Sequence, residues 1–151
     1  MSAADAFFDT NILLYLLSSD AAKADWAEGA LAAGGVISVQ VLNECSAVAR
    51  RTLGMTFDEV REVMAPVRAV CRVEPLTGQT HDLGLQVSER YGFSVYDSMI
   101  VAAALLAKCP VLYSEDLQDG QVLEKLLTVR NPFRPDSENG FVPVPIPKLA
   151  E

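Results

Sequence analysis

The sequence predicts an α/β domain built on a mostly parallel sheet. Short apolar runs alternate with helix-length stretches, and most junctions carry a helix-capping residue or a glycine. The chain has 151 residues, half of them apolar, enough for one substantial core.

The first strand is Ala6 to Phe8, followed by a helical stretch through "NILLYLL" and another from about Asp20 to Ala33, closed by Gly34 and Gly35. Val36 and Ile37 form the next strand, with Ser38 capping a helix that runs to Gly54. Thr56 and Glu59 make a capping box for a further helix, which Pro66 should kink or end. A strand follows in "AVCRVEPL". Thr80 is the expected cap of "HDLGLQVSERYG", and Ser94 that of "YDSMIVAAALLAK". "PVLYS" reads as a strand and "QVLEKLL" as a last helix. From Asn131 the chain turns proline-rich and loses helical periodicity, which predicts an extended tail outside the core.

Several classes are disfavoured. The N-terminus lacks a basic start and carries Asp9 inside its apolar run, unlike a signal peptide. No segment approaches the roughly 20 apolar residues of a membrane helix, so a cytoplasmic protein is expected. Cys45, Cys71 and Cys109 have no metal-ligand spacing and read as buried free thiols. The net charge of −8 argues by itself against coating a phosphate backbone.

Five acids stand in places unusual for a solvated face: Asp9, Glu44, Asp97, Asp116 and Asp119. Asp9 ends the first strand, the end at which open α/β sheets bind ligands, though it or Asn11 is also a plausible helix cap. Glu44 lies at the edge of the apolar arc of Val41, Cys45 and Val48, where an ion pair with Arg51 is the plainer explanation. Asp97 completes a capping box with Ser94 at the mouth of an almost wholly apolar helix. Asp116 and Asp119 follow the strand ending at Tyr113 and would sit in the first turn of the last helix. The acids at the three junctions each have a capping explanation taken singly. Together, on parallel strands, Asp9 and Asp116 come to one sheet edge within reach of Asp97, and such a cluster repels itself unless a cation sits in it. Mg²⁺ or Mn²⁺ suits oxygen ligands, and metal-assisted phosphodiester cleavage is the chemistry that follows.

In order along the chain, "FFDTNILLYLL", "VLNE", "YDSMIVAAA" and "LYSEDLQDG" resemble the four motifs of the PIN-domain ribonucleases, in particular the VapC-type toxins of type II toxin-antitoxin pairs. The resemblance covers Ala6 to Phe133, making residues 1–133 a nuclease-like domain and 134–151 a proline-rich C-terminal tail. It implies a three-layer α/β/α sandwich, usually dimeric, that cleaves RNA and is held inactive by a cognate antitoxin. By the same resemblance, Asp9, Glu44, Asp97 and Asp116 are the catalytic acids. Asp9, Asp97, Asp116 and Asp119 hold Mg²⁺ or Mn²⁺, and Thr10, Asn11 and Ser114 support them. Removing the five acids from the balance leaves −3, so RNA is no longer excluded as a partner. Arg50 and Arg51 are candidate phosphate contacts, although a solvated helix end explains them more simply.

His81 reads as a surface residue, and Trp26, Tyr15 and Tyr91 as core or interface. The alternative function is a catalytically silent PIN-like module that acts by contact with protein or RNA. Phosphotransfer receivers and haloacid-dehalogenase-like phosphatases also gather aspartates at strand ends. The latter need an acid where Asn11 stands, and the former a lysine after a late strand, absent after "VLY".

Overall fold

A computed structural model describes residues 5–136 and 140–143, with side chains through Phe133. Its core is a six-stranded sheet ordered β3-β2-β1-β4-β6-β5, where β1 is Ala6–Phe8, β2 Gly35–Ser38, β3 Cys71–Glu74, β4 Val111–Tyr113, β5 Val122–Leu123 and β6 Leu127–Arg130. All neighbours pair in parallel except β5 and β6. Six helices flank the sheet: α1 Thr10–Tyr15, α2 Ala21–Ala32, α3 Val39–Arg51, α4 Phe57–Val70, α5 Gly78–Tyr91 and α6 Val95–Leu106. The α/β expectation with a mostly parallel sheet holds.

Strands β1 and β4 are short and buried throughout their inner residues, as strands covered on both faces must be. The chain adds β2 and β3 on one side of β1, then crosses back to place β4 on the other. That reversal makes the carboxyl ends of β1 and β4 a topological switch point, where open α/β sheets bind ligands. Close approach at β2 requires Gly35. A Cβ there would meet the Ala6 carbonyl oxygen at 2.7 Å and the Phe8 ring at 2.5 Å. Gly35→Ala is therefore expected to lower stability by about 1–3 kcal/mol, read as a shift in the denaturant midpoint.

Local signals place most helices. Ser38 accepts from the Val41 N–H at 3.2 Å, and Thr56 with Glu59 forms the reciprocal capping box. Gly92 ends α5 in the left-handed region at φ 76. Trp26 and Tyr15 are core residues, His81 is exposed, and the three cysteines are free and buried. Burial pushes the Cys45 and Cys71 thiols up to about 11 and Cys109 to about 12. No helix among the described residues is long and apolar enough to cross a membrane.

Four expectations need correction. Pro66 does not end helix α4, which runs on through it to Val70. Pro66 and Glu62 both lie on its exposed face, so the carbonyl that proline leaves without an N–H partner faces water. Helix α5 starts at Gly78, with Thr77 as cap and Thr80 bonded back to it from the third position. "QVLEKLL" is a hairpin, not a helix: β5 and β6 are joined by Glu124, Lys125 and Leu126, the first two at φ 52 and 59, with the Leu126 N–H bonded to the Leu123 carbonyl at 3.0 Å. Two successive left-handed residues make the turn that matches strand twist. Contacts from α5 hold it, since Arg90 and Tyr91 both bond the Glu124 carboxylate.

The fourth correction concerns the chain after Asn131. Phe133 is 1% exposed and packs edge-on against Tyr15 and Trp26, so the core extends at least this far. It opens β7, Phe133–Asp136, which pairs antiparallel with β8, Gly140–Pro143. Residues 137–139 and 144–151 of the expected tail lie outside the described residues.

Candidate functional site

Strand β1 ends at Phe8, and the next residue must both cap α1 and leave the sheet. Asp9 does this in extended conformation, φ −72 and ψ 166, with its backbone N–H bonded to the Tyr113 carbonyl of β4 at 3.0 Å. Its carboxylate is held at both oxygens: Oδ1 accepts from the Thr10 N–H at 2.6 Å, and Oδ2 from the Ser114 hydroxyl at 2.7 Å. Only 4% of Asp9 is exposed. Burial raises its pKa from 3.8 to about 7, against the two hydrogen bonds, and the charges of Asp116 and Asp97 push it further up.

Ser114 links the end of β4 to this acid. Its own N–H bonds the Arg130 carbonyl at 3.0 Å, and its hydroxyl oxygen accepts the Asp116 N–H at 3.2 Å. One buried hydroxyl thus fixes the carboxylate of Asp9 and the backbone of Asp116. Ser114→Ala is expected to cost about 1–3 kcal/mol of stability, because Asp9 loses a buried bond and Asp116 a part-buried one. It should also drive the Asp9 pKa higher, which a carboxyl-carbon NMR titration reads.

Asp116 is exposed as a residue, yet partial burial of its carboxylate raises its pKa, followed by the charges of Asp97 and Glu115. It caps no helix, since the chain beyond it enters the β5–β6 hairpin. Asp97 lies in the first turn of α6, where its N–H bonds the Ser94 hydroxyl at 3.1 Å. The carboxylate makes no return bond to Ser94, so only half of the expected capping box forms. The acid is left facing its neighbours.

Glu44 joins through Thr10. Its Oε1 accepts from the Thr10 hydroxyl at 3.3 Å and its Oε2 from Gln40 Nε2 at 2.6 Å, in place of an ion pair with Arg51. Gln40 stands four residues earlier on the same helical face, a spacing visible in the sequence but not used to find it. Asn11 lies beside Asp116 and offsets part of its pKa rise. Neither heteroatom of the buried Asn11 amide has a hydrogen-bond partner of normal geometry.

Asp119 is engaged at the other end of its loop. It accepts from the Asn131 N–H at 2.8 Å and lies 4.0 Å from Arg130 Nε. Arg50 is likewise committed, donating to the Met55 carbonyl at 2.8 Å and stacking over Phe57 with its guanidinium 4.0 Å from the ring centre. Among the described residues, no three carboxylate, thiol or imidazole groups already converge as a set able to hold a metal ion. The charges of Asp97 and Asp116 nevertheless reach Asp9, that of Asp97 reaches Asp116, and Glu44 is linked to Asp9 through Thr10.

The sequence reading missed Glu115. Its carboxylate is bonded by the Tyr15 hydroxyl and lies 3.6 Å from Lys23 Nζ.

The PIN-domain family model matches residues 6–118, three quarters of the chain. The chain belongs to the PIN-domain family. Solved structures agree in fold. The toxin VapC20 of Mycobacterium tuberculosis, described as cleaving the sarcin-ricin loop, superposes with a TM-score of 0.62 at 21% identity, covering 74% of this chain and 90% of that one. A toxin-antitoxin complex from Klebsiella pneumoniae gives 0.66 at 19% identity, covering 85% and 98%. DNA-bound VapBC from Salmonella typhimurium gives 0.60 at 17% identity, covering 84% and 97%. No curated protein sequence matches.

Proposed function

We propose that this PIN-domain protein is a divalent-metal-dependent endoribonuclease, the toxin of a toxin-antitoxin pair. The observation that carries the proposal is the buried Asp9 carboxylate at the switch point, with its pKa raised to about 7 and the charges of Asp97 and Asp116 upon it. Such a group is unfavourable as an anion by itself and favourable beside a cation.

The donors fit a hard ion. They are carboxylate oxygens, and the unpartnered Asn11 amide offers further polar contact to the ion's water shell. Asp9, Asp97 and Asp116 would hold Mg²⁺ or Mn²⁺, with Asp119 as a supplementary acid. Waters of hydration, which Mg²⁺ gives up reluctantly, would span the distances the side chains leave open. Once bound, the ion supplies Lewis-acid polarisation of a phosphodiester and a more acidic water.

The chain's own residues supply position. Thr10 and Ser114 lock both Asp9 oxygens in place while leaving each a free lone pair. Thr10 also orients Glu44, whose remaining acceptor capacity makes it the candidate base for a proton leaving water. Ser94 fixes the backbone of Asp97 and Ser114 that of Asp116. RNA as substrate and an antitoxin as partner rest on the family motifs and on the structural likeness to toxins solved with antitoxins. Homodimerisation and a cytoplasmic location complete the proposal.

The second reading is the silent binding module, which is consistent with the acids not converging as a set of three among the described residues. Cleavage of structured and unstructured RNA in Mg²⁺ or Mn²⁺ separates the two. The proposal expects cleavage by the wild type, abolished by chelator and by Asp97→Asn. Equal inactivity of both proteins across many RNAs would favour the binding module.

A further inference from the structure

The sequence places two acids side by side, Glu115 and Asp116, after one strand. The structure treats them oppositely. Asp116 faces Asp97 and Asn11, whereas Glu115 turns to the Tyr15 hydroxyl and the Lys23 ammonium. Lys23 is only 18% exposed in its side chain, far below what a lysine on a helix surface shows. Its Nζ lies 5.1 Å from the centre of the Tyr15 ring and 5.9 Å from that of Phe133, a site of two aromatic faces and one carboxylate. Trp26 closes the cluster by packing edge-on against Phe133 and Tyr113.

Helix α1 is consequently tied to the chain after β4 at both ends. Asp9, at its start, is bonded by Ser114, and Tyr15, at its last turn, bonds Glu115. Two successive residues thus pin one short helix, and the third, Asp116, projects into the acidic site. A helix of six residues does not hold its own geometry in water, so these ties set its orientation.

We infer that Tyr15, Lys23 and Glu115 form a positioning device for the candidate metal site: they hold Glu115 out of it and fix the turn that presents Asp116 to Asp9. The device rests on the metal-site reading for its purpose but not for its detection. The Lys23 ammonium offsets part of the Glu115 charge, which still bears on Asp116 next to it. Tyr15 keeps its proton, raised by burial and by Glu115, and so remains a donor.

The test uses Tyr15→Phe, which keeps the ring in the core, with Lys23→Met, Lys23→Arg and Glu115→Gln in the full chain. The first readout is backbone hydrogen exchange in metal-free protein without RNA. In Tyr15→Phe and Lys23→Met, the Asp116 and Thr10 amides should exchange about 10-fold faster relative to core amides. Lys23→Arg should retain most protection. The second readout is the Mg²⁺ concentration for half-maximal cleavage, expected to rise by about 10-fold in the same two variants while the KM for RNA stays unchanged.

Unchanged exchange ratios, with only a lower melting temperature, would overturn the device and leave the cluster as packing. Loss of cleavage in Glu115→Gln equal to that in Asp116→Asn, with Tyr15→Phe and Lys23→Met at wild-type level, would overturn it by making Glu115 catalytic. If the wild type cleaves nothing, the ribonuclease reading fails alone, and the exchange ratios still decide the device.

Discussion

Asp9→Asn is expected to abolish metal-dependent cleavage and, in metal-free protein at pH 8, to raise the melting temperature. Both effects come from one buried charge. The folded-state pKa, about 7, exceeds the 3.8 of the free side chain, so the native state binds the extra proton. That contribution is fully present below about pH 4 and is lost as pH rises to about 7. The shift corresponds to roughly 4 kcal/mol across the window. Asparagine keeps acceptor and donor atoms for Thr10 and Ser114 without the charge. Thermal melts at pH 5 and pH 8 check this. The stabilising effect should appear at pH 8 and shrink at pH 5, and the wild-type decline between those values should flatten in the variant. Saturating Mn²⁺ should restore wild-type stability at pH 8, since it favours the ionised carboxylate, and at the same concentration should stabilise Asp9→Asn less.

Phe133→Ala is expected to cost about 3–5 kcal/mol, the range for removing a fully buried aromatic ring. The ring lies between Tyr15 and Trp26 and beneath Lys23, so its loss empties space beside the residues that grip Glu115. Urea denaturation with unchanged slope and a lowered midpoint would measure it. A loss under about 1 kcal/mol would mean that Phe133 is peripheral to the core.

These two residues also show what the sequence could reveal. Asp9 was legible because it stands at a strand end before a helix, and because Glu44, Asp97 and Asp116 recur at comparable junctions. Caps such as Ser38, Thr56 and Ser94 were legible for a related reason: each is a contact over three residues. Phe133 was not, since prolines on either side mask an anchor whose partners, Tyr15 and Trp26, lie more than 100 residues earlier. The Tyr15 to Glu115 bond has the same long separation. The β5–β6 hairpin was hidden differently. Glu124 and Lys125 give no turn signal, because non-glycine residues seldom take positive φ, and contacts from α5 override the helical preference of "LEKLL". Asp119 was legible as an acid, but the sequence could not show that Asn131 and Arg130 engage it.

The central claim is that the acids at the ends of β1 and β4 and at the start of α6 hold a divalent cation. The most direct measurement is calorimetric titration of Mn²⁺ into metal-free protein at pH 7.5, for the wild type, Asp9→Asn and Asp116→Asn. The account predicts saturable binding by the wild type that weakens by about 10-fold or more in each variant. Binding of equal strength in all three proteins, or none in a folded wild type, would contradict it.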